Sequence, residues 1–401
     1  MGIKNDLGRR GFLKSTVLGA AGAIAGVSAY GRTDQSVVKE PAFIRRKLGN
    51  TDIELPVVSF GVMRSDNAGL IRSALDMGFV HFDTAHGYQE GRNETMLGEI
   101  FKEKPRSSFI LATKVAPDDV DRQSGELGPG TTRESILAKF ELSLNRLQLS
   151  YVDILYFHAI SNRNAALAPH VLDAFSELKK QGKVRYFGLS THQNEPDVIQ
   201  AAIDSNFYNV VLTAINFKHQ SAALIKEKAA LAAQKGIGIV AMKTMAGGFL
   251  DKERTQPVNC TAALKWVLQD PNISTSIPGI VNYDQLNQNF SVMESLEFTE
   301  KEKADLQEAG LVSGLYCDGC SQCLHQCKKH LPVHEIMRAY MYTYGYRHYE
   351  NALTVLDKHQ IAVNPCGDCG ECTVNCPKGF VVADRIADVS RLSMMPREFL
   401  V

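Results

Sequence analysis

Eight short apolar runs, each followed by a longer segment of helical spacing, fill residues 45 to 295 of this 401-residue chain. They are VVSFG from 57, FVHFD from 79, FILATK from 109, VDILYFH from 152, VRYFGLS from 184, VVLTAIN from 210, GIVAMK from 238 and ISTSIPG from 273. Strand-like runs that alternate with helical patterns imply a parallel sheet, because each return to the same edge needs a crossover. Eight such units predict a (β/α)8 TIM barrel, with a doubly wound open sheet as the alternative at this level. Between two of the runs, TRESILAKFELSLNRLQ predicts a helix with a Thr-x-x-Glu start, whose Ile136, Leu137, Phe140, Leu144 and Leu147 share one face. A barrel takes about 250 residues, so the length leaves room for a second folded unit.

In a parallel barrel the C-terminal ends of the strands face the active site. Asp83, Lys114 and His158 close the second, third and fourth runs, and Tyr88 lies in the loop after Asp83. On these residues the chain resembles the aldo-keto reductases: FDTAHGY, ATK and LYFH match that family's Asp, Tyr, Lys and His positions in order. FGLSTH is similar to its cofactor segment on the fifth strand, and the similarity runs from about Arg45 to Leu296. The combination has a physical rationale. Reduction of a carbonyl by hydride transfer needs a proton donor for the oxygen, and a free tyrosine, with a pKa of about 10, is a poor one near neutrality. A nearby ammonium stabilises the phenolate, and a carboxylate keeps that ammonium charged and in place. Tyr88, Lys114 and Asp83 take those parts; His158 orients the substrate carbonyl or helps to relay the proton. His86 and His192 are weaker candidates for the pocket wall.

The resemblance further implies a nicotinamide cofactor, NADP or NAD, and a small carbonyl or alcohol substrate. It places Ser190 and Thr191 at the carboxamide, where many relatives have Asn at the second position, and Asn289 at the adenine, with Gly279 on the remainder of the dinucleotide; Lys243, where the chain departs from its relatives, is expected near the pyrophosphate. Two departures stand out. Where many relatives stack a Tyr on the nicotinamide, this chain has Met242 and then Lys243; where many clamp a 2′-phosphate with Arg, it offers Gly279, Ile280 and Gln285.

Eight of the nine cysteines fall between 317 and 376. Cys317, Cys320, Cys323 and Cys327 have C-x2-C-x2-C-x3-C spacing, and Cys366, Cys369, Cys372 and Cys376 repeat it, the second set followed by Pro377. This is the bacterial two-cluster ferredoxin run, in which the fourth cysteine of each motif ligates the other cluster. Two [4Fe-4S] clusters are therefore expected, with Cys327 serving the second and Cys376 the first. Zinc uses similar pairs, yet four ligands saturate one zinc and leave the doubled pattern unexplained. Lys328 stands where a proline usually follows the first motif, and the wide gap between motifs suits a mainly helical ferredoxin-like module, as in an iron–sulfur branch of the family.

The first thirty residues read differently. Arg9 and Arg10 precede Phe12 and Leu13 and then a Gly/Ala-rich apolar stretch ending in VSA at 27 to 29. This resembles a twin-arginine export signal cleaved near Ala29, and its apolar part is shorter than the roughly 20 residues of a membrane span. The organisation expected is a signal at 1–29, a barrel at 30–310 and the iron–sulfur module at 311–401, in an exported, periplasmic protein that meets the membrane only in transit. That route suits a protein whose clusters are inserted before it crosses. With 44 basic and 44 acidic residues and no charge run, nothing points to nucleic acid. An oxidoreductase is the leading reading, with a redox partner protein as a further expectation. The competing one is an electron-transfer protein whose barrel binds without turnover.

Overall fold

The computed structural model describes residues 43–396 apart from Arg122, so the proposed export signal lies outside the described residues. Each of the eight apolar runs contains a strand. After a hairpin of β1 (Arg45–Lys47) and β2 (Glu54–Pro56) come β3 (Phe60–Gly61), β4 (His81–Asp83), β5 (Ile110–Val115) and β6 (Val152–Phe157). Then follow β7 (Val184–Thr191), β8 (Val210–Ala214), β9 (Gly238–Met242) and β10 (Ile273–Ser276). The strands β3 to β10 form one sheet in chain order, every neighbour parallel. Its edges meet at bridges between Val58 and Ser276 and between Gly61 and Gly279. The Ser59 and Gly61 amides donate across that seam to the Ser276 and Pro278 carbonyls, and the sheet thereby curls into a TIM-like form.

Alternation along the strands divides the apolar residues between two cores. Ala112, Ile154, Tyr156, Val210, Leu212 and Val240 point inward, whereas Leu111, Leu155, Phe157, Leu189, Val211 and Ile239 pack outward against the helices. The inner core is narrow. Tyr156 fills its middle, fully buried, because Gly188 on the neighbouring strand leaves the space; any side chain there would collide with the Tyr156 ring. The helix expected between β5 and β6 runs Arg133–Leu147 and buries Ile136, Phe140, Leu144 and Leu147. Its cap differs from the expected Thr-x-x-Glu start: Thr132 caps it, in a reciprocal box with Ser135. Thr131 is unavailable, its hydroxyl donating to the Asp119 carbonyl and accepting from the Asp119 amide.

The β1–β2 hairpin was not among the predicted strands. It seals the N-terminal end of the barrel, where Leu48, Ile53 and Leu55 join the inner core. Charges at this end are matched to one another. Asp153 accepts from Arg106 at 2.5 Å, Arg185 at 2.6 Å and the Leu111 amide at 2.9 Å. The Arg46 guanidinium donates to the carbonyls of Leu268, Asp270 and Ile273.

Beyond the helix Glu300–Gly310, the chain forms helices Val333–Tyr340, Tyr349–Lys358 and Val382–Ser390, with a π turn at Met341–Gly345 directly after the first. Ile336, Leu356, Ile386 and Val389 make their shared core, and Cys317, Cys323, Cys327, Cys366 and Cys376 pack against it. Among the described residues no helix is long and apolar enough to cross a membrane.

Candidate active site and cysteine centre

Asp83 is the last residue of β4 and Lys114 the penultimate residue of β5, both about 1% exposed. The loop after β4 continues the pairing of the strand for a few residues: the Thr84 and His86 amides donate to the Ala112 and Lys114 carbonyls. That extension turns the chain back over the barrel mouth, where Gln89 and Glu90 adopt left-handed backbone angles immediately after Tyr88. Buried side chains of the following helix Arg92–Phe101 fix the loop. Asn93 accepts from the Thr84 hydroxyl at 2.6 Å and donates to the Val62 and Ser65 carbonyls, and Glu94 accepts from Thr113 at 2.7 Å.

The Lys114 ammonium then sits at the centre of a triad. It pairs with Asp83 and donates to the Thr84 carbonyl at 2.7 Å and to the Tyr88 hydroxyl at 3.2 Å. Burial disfavours this ammonium, but Asp83 and Tyr88 more than offset it and hold its pKa above the ordinary lysine value. His158 follows β6, its amide bound to the Val115 carbonyl, and its ring stands edge-on to the Tyr88 ring at 6.0 Å. The structure thus brings all four predicted residues to one end of the barrel.

Two electrostatic features refine the sequence reading. Lys114 was expected to make Tyr88 a better acid, yet burial raises the Tyr88 hydroxyl above its ordinary value and Lys114 only moderates that shift. Desolvation penalises the phenolate more than one ammonium, itself paired with Asp83, can return. His158 is held well below its ordinary value by burial, with Lys114, Arg338 and Lys358 adding to the effect. It is a neutral imidazole near pH 7, which favours orientation of a substrate oxygen over delivery of a proton.

A cavity of about 900 Å³ opens beside this group, and Asp83, Tyr88, His192, Lys243, Gly279 and Asn289 are on its wall. Lys243 has a left-handed backbone (φ 57°), and burial, with Arg338 adding, lowers its ammonium to about 8. Ser190 and Thr191 do not reach this wall. Ser190 is fully buried with a hydroxyl that lacks a partner among the described residues, whereas the Thr191 hydroxyl is already bound to the Gln193 carbonyl at 2.6 Å. Of the weaker candidates, His192 lines the cavity and its ring lies 6.0 Å from that of His158. His86 turns away to Ser143, 3.1 Å from its Nδ1, on the neighbouring helix.

Sequence reasoning missed Arg64, Arg254, Tyr342 and Tyr346, which also line the cavity. Arg64 lies three residues beyond β3, outside the apolar run, so a rule that reads only the residues closing each run passes over it. Tyr342 and Tyr346 belong to the C-terminal region, beyond the runs altogether.

The eight clustered cysteines are all unpaired. Burial pushes the Cys317 thiol up to about 12 and the Cys323 thiol to about 11, each raised further by neighbouring cysteine sulfurs. The neighbours reveal the grouping: Cys376 bears on Cys320 and Cys323, and Cys327 bears on Cys366 along with Cys369 and Cys372. The fourth cysteine of each motif therefore approaches the other motif, the crossing that a two-cluster arrangement requires. Cys327 also bears on Cys323, its neighbour in the first motif. Thiolates so placed repel one another unless cations neutralise them, which fits iron–sulfur ligation. Among the described residues no group of three or more His, Cys, Asp or Glu is arranged to hold a metal ion directly. The first motif packs onto the barrel mouth: a side chain at Gly319 (φ 69°) would lie 2.8 Å from the His192 carbonyl oxygen.

Known proteins are similar to this chain in two regions, the barrel and the cysteine-bearing segment. An uncharacterised oxidoreductase of Bacillus subtilis is 25% identical over 297 residues, covering 66% of this chain and 95% of its own. The L-galactose dehydrogenase of Arabidopsis thaliana is also 25% identical, over 66% of this chain and 92% of its own. A solved aldo-keto reductase of Bacillus halodurans shares the fold, with a TM-score of 0.53 at 23% identity, over 67% of this chain and 96% of its own. Residues 316–381 match the 4Fe-4S dicluster domain. Residues 59–262, just over half of the chain, match the aldo/keto reductase family, and the chain belongs to that family of oxidoreductases.

Proposed function

We propose that the protein interconverts a small carbonyl compound and its alcohol by hydride exchange with a nicotinamide dinucleotide. The observation that carries this reading is the buried Lys114 ammonium, bound by Asp83 and Tyr88, both of which line the cavity. The dinucleotide supplies or accepts the hydride. Tyr88, protonated at neutral pH, donates its proton to the carbonyl oxygen during reduction, and Lys114 stabilises the phenolate so formed while Asp83 keeps Lys114 charged. His158, neutral, donates one hydrogen bond that orients the same oxygen. Of the two residues expected at the carboxamide, Ser190 keeps an unpartnered hydroxyl but lies off the cavity wall, and the Thr191 hydroxyl is engaged. Lys243 and the Gly279 backbone suit the pyrophosphate, and Asn289 the adenosine end. No arginine stands where relatives clamp a 2′-phosphate, so NAD is as well accommodated as NADP.

The C-terminal region is read as a mainly helical ferredoxin-like module. One [4Fe-4S] cluster is assigned to Cys317, Cys320, Cys323 and Cys376, and the other to Cys366, Cys369, Cys372 and Cys327. Such clusters exchange single electrons. Cys320 and Cys372 are exposed, which supports a redox partner protein at this face. Twin-arginine export to the periplasm is proposed from the sequence of residues 1–29.

Replacement of Tyr88 by Phe tests the catalytic reading. Carbonyl-dependent oxidation of NADH or NADPH is expected to fall at least about a hundredfold, the scale of a lost general acid, with dinucleotide affinity retained. Undiminished reduction in Tyr88→Phe is the contrary result.

A further inference from the structure

One polar group on the cavity wall has no part in the tetrad or in the dinucleotide reading. The helix Val333–Tyr340 of the cysteine-bearing region runs into the π turn Met341–Gly345. A π turn holds an extra residue and re-aims the side chains that follow, and such turns gather at functional sites. Here it brings Tyr342 and Tyr346 to the wall shared by Asp83 and Tyr88. The seat is tight: a side chain at Gly345 would lie 2.7 Å from the Gly247 carbonyl oxygen, in the loop after β9, and Met341 packs against Gly247 from the same turn.

The two tyrosines differ in what they already hold. Tyr346 accepts from Arg64 Nη2 at 2.8 Å through its carbonyl, and its ring lies under the same guanidinium at 4.8 Å. The Tyr342 hydroxyl has no hydrogen-bond partner among the described residues. Tyr342 and Tyr88 line the same cavity, and Tyr342 bears on the Tyr88 hydroxyl electrostatically, so one substrate bound there can meet both phenols. The charge on the wall says what kind of oxygen. Asp83 is paired with Lys114 and Asp305 with Lys301. Arg64, Lys243 and Arg254 then stand against Glu308 alone, an excess that the pyrophosphate of a dinucleotide, with about two negative charges, offsets. The substrate oxygen facing Tyr342 is therefore best uncharged.

We propose that Tyr342 is a substrate-binding residue contributed by the iron–sulfur region: its hydroxyl bonds a hydroxyl or carbonyl oxygen on the carbon next to the reacting carbonyl. The site then selects hydroxyaldehydes and hydroxyketones over unsubstituted analogues. This assignment rests on the reductase reading above, and a pair of probes separates the two. Glyceraldehyde and propanal share a three-carbon aldehyde skeleton and differ in the hydroxyls. With iron-loaded full-length protein, wild type should favour glyceraldehyde in kcat/KM by about tenfold or more, the scale of one or two hydrogen bonds. Tyr342→Phe should erase that preference through KM, with kcat within about threefold and with propanal turnover, iron content and dinucleotide affinity unchanged. A variant that keeps the preference, or that loses both aldehydes equally, overturns the assignment of Tyr342 and leaves the reductase reading standing. Turnover of neither aldehyde by wild type overturns both.

Discussion

The two ends of the barrel differ in how far their polar groups are matched, although the N-terminal end also buries both His81 ring nitrogens and Arg106 Nε without a partner among the described residues. At the N-terminal end, Asp153 meets two arginines and an amide, and Arg46 meets three carbonyls. At the C-terminal end, Ser190 Oγ, Thr213 Oγ1, Ser276 Oγ, Thr244 Oγ1, His192 Nδ1 and Arg64 Nε are buried without a partner among the described residues. Buried polar atoms cost about 1–3 kcal/mol each when unsatisfied, so an end that keeps six of them does so for something other than stability. Of the six, Thr244, His192 and Arg64 line the cavity, where a ligand would complete them.

The largest effect should come from breaking the better-matched end. Asp153→Ala leaves Arg106 and Arg185 without their shared carboxylate and orphans the Leu111 amide. Denaturant unfolding should show a loss of about 3–5 kcal/mol, the scale of a broken buried ion pair, while the folded fraction keeps its activity per molecule. Tyr88→Phe is the converse, with the activity loss given above and a stability change within about 1 kcal/mol. Were the two variants to exchange phenotypes, the division between the ends would be wrong.

A smaller effect concerns pH. Lys243 titrates near 8 and is mostly cationic at pH 7. On the proposed reading an anionic dinucleotide binds its charged form, so affinity should be steady below the pKa and weaken as pH rises through it. The dissociation constant measured by fluorescence titration should rise about tenfold between pH 7 and 9, and Lys243→Met should flatten that dependence. The smallest effect lies between the two ends: the Tyr156 hydroxyl is buried in the inner core without a partner among the described residues. Tyr156→Phe should be neutral or stabilising by up to about 1 kcal/mol. A clear destabilisation would show that this hydroxyl is satisfied after all.

What was legible in the sequence follows the same physics. A strand buried on both faces must be apolar along its length, so Asp83, Lys114 and His158 stood out by ending such runs, and register then carried them to one place. Cysteine spacing was legible because tight loops fix which sulfurs come together. Features that depend on distant packing were not. The β1–β2 hairpin reads as charged loop until Leu48, Ile53 and Leu55 are seen plugging the barrel. Thr191 was assigned to the cofactor by its place in the FGLSTH segment, yet its hydroxyl is spent on Gln193. His86 lies within six positions of Asp83 and faces Ser143 instead of the cavity. Tyr342 reaches the cavity of Tyr88, 254 residues earlier in the chain, through a π turn that no local pattern announces.

The central claim is that the C-terminal end of the barrel performs hydride transfer, with the clusters outside that step. Reduction of a carbonyl substrate with NADH deuterated at both C4 positions, followed by mass spectrometry of the alcohol, tests it most directly. One deuterium per molecule at the former carbonyl carbon, and loss of product in Tyr88→Phe, is the predicted result. An alcohol formed without deuterium would mean that its electrons arrived through the iron–sulfur region, and would contradict the account.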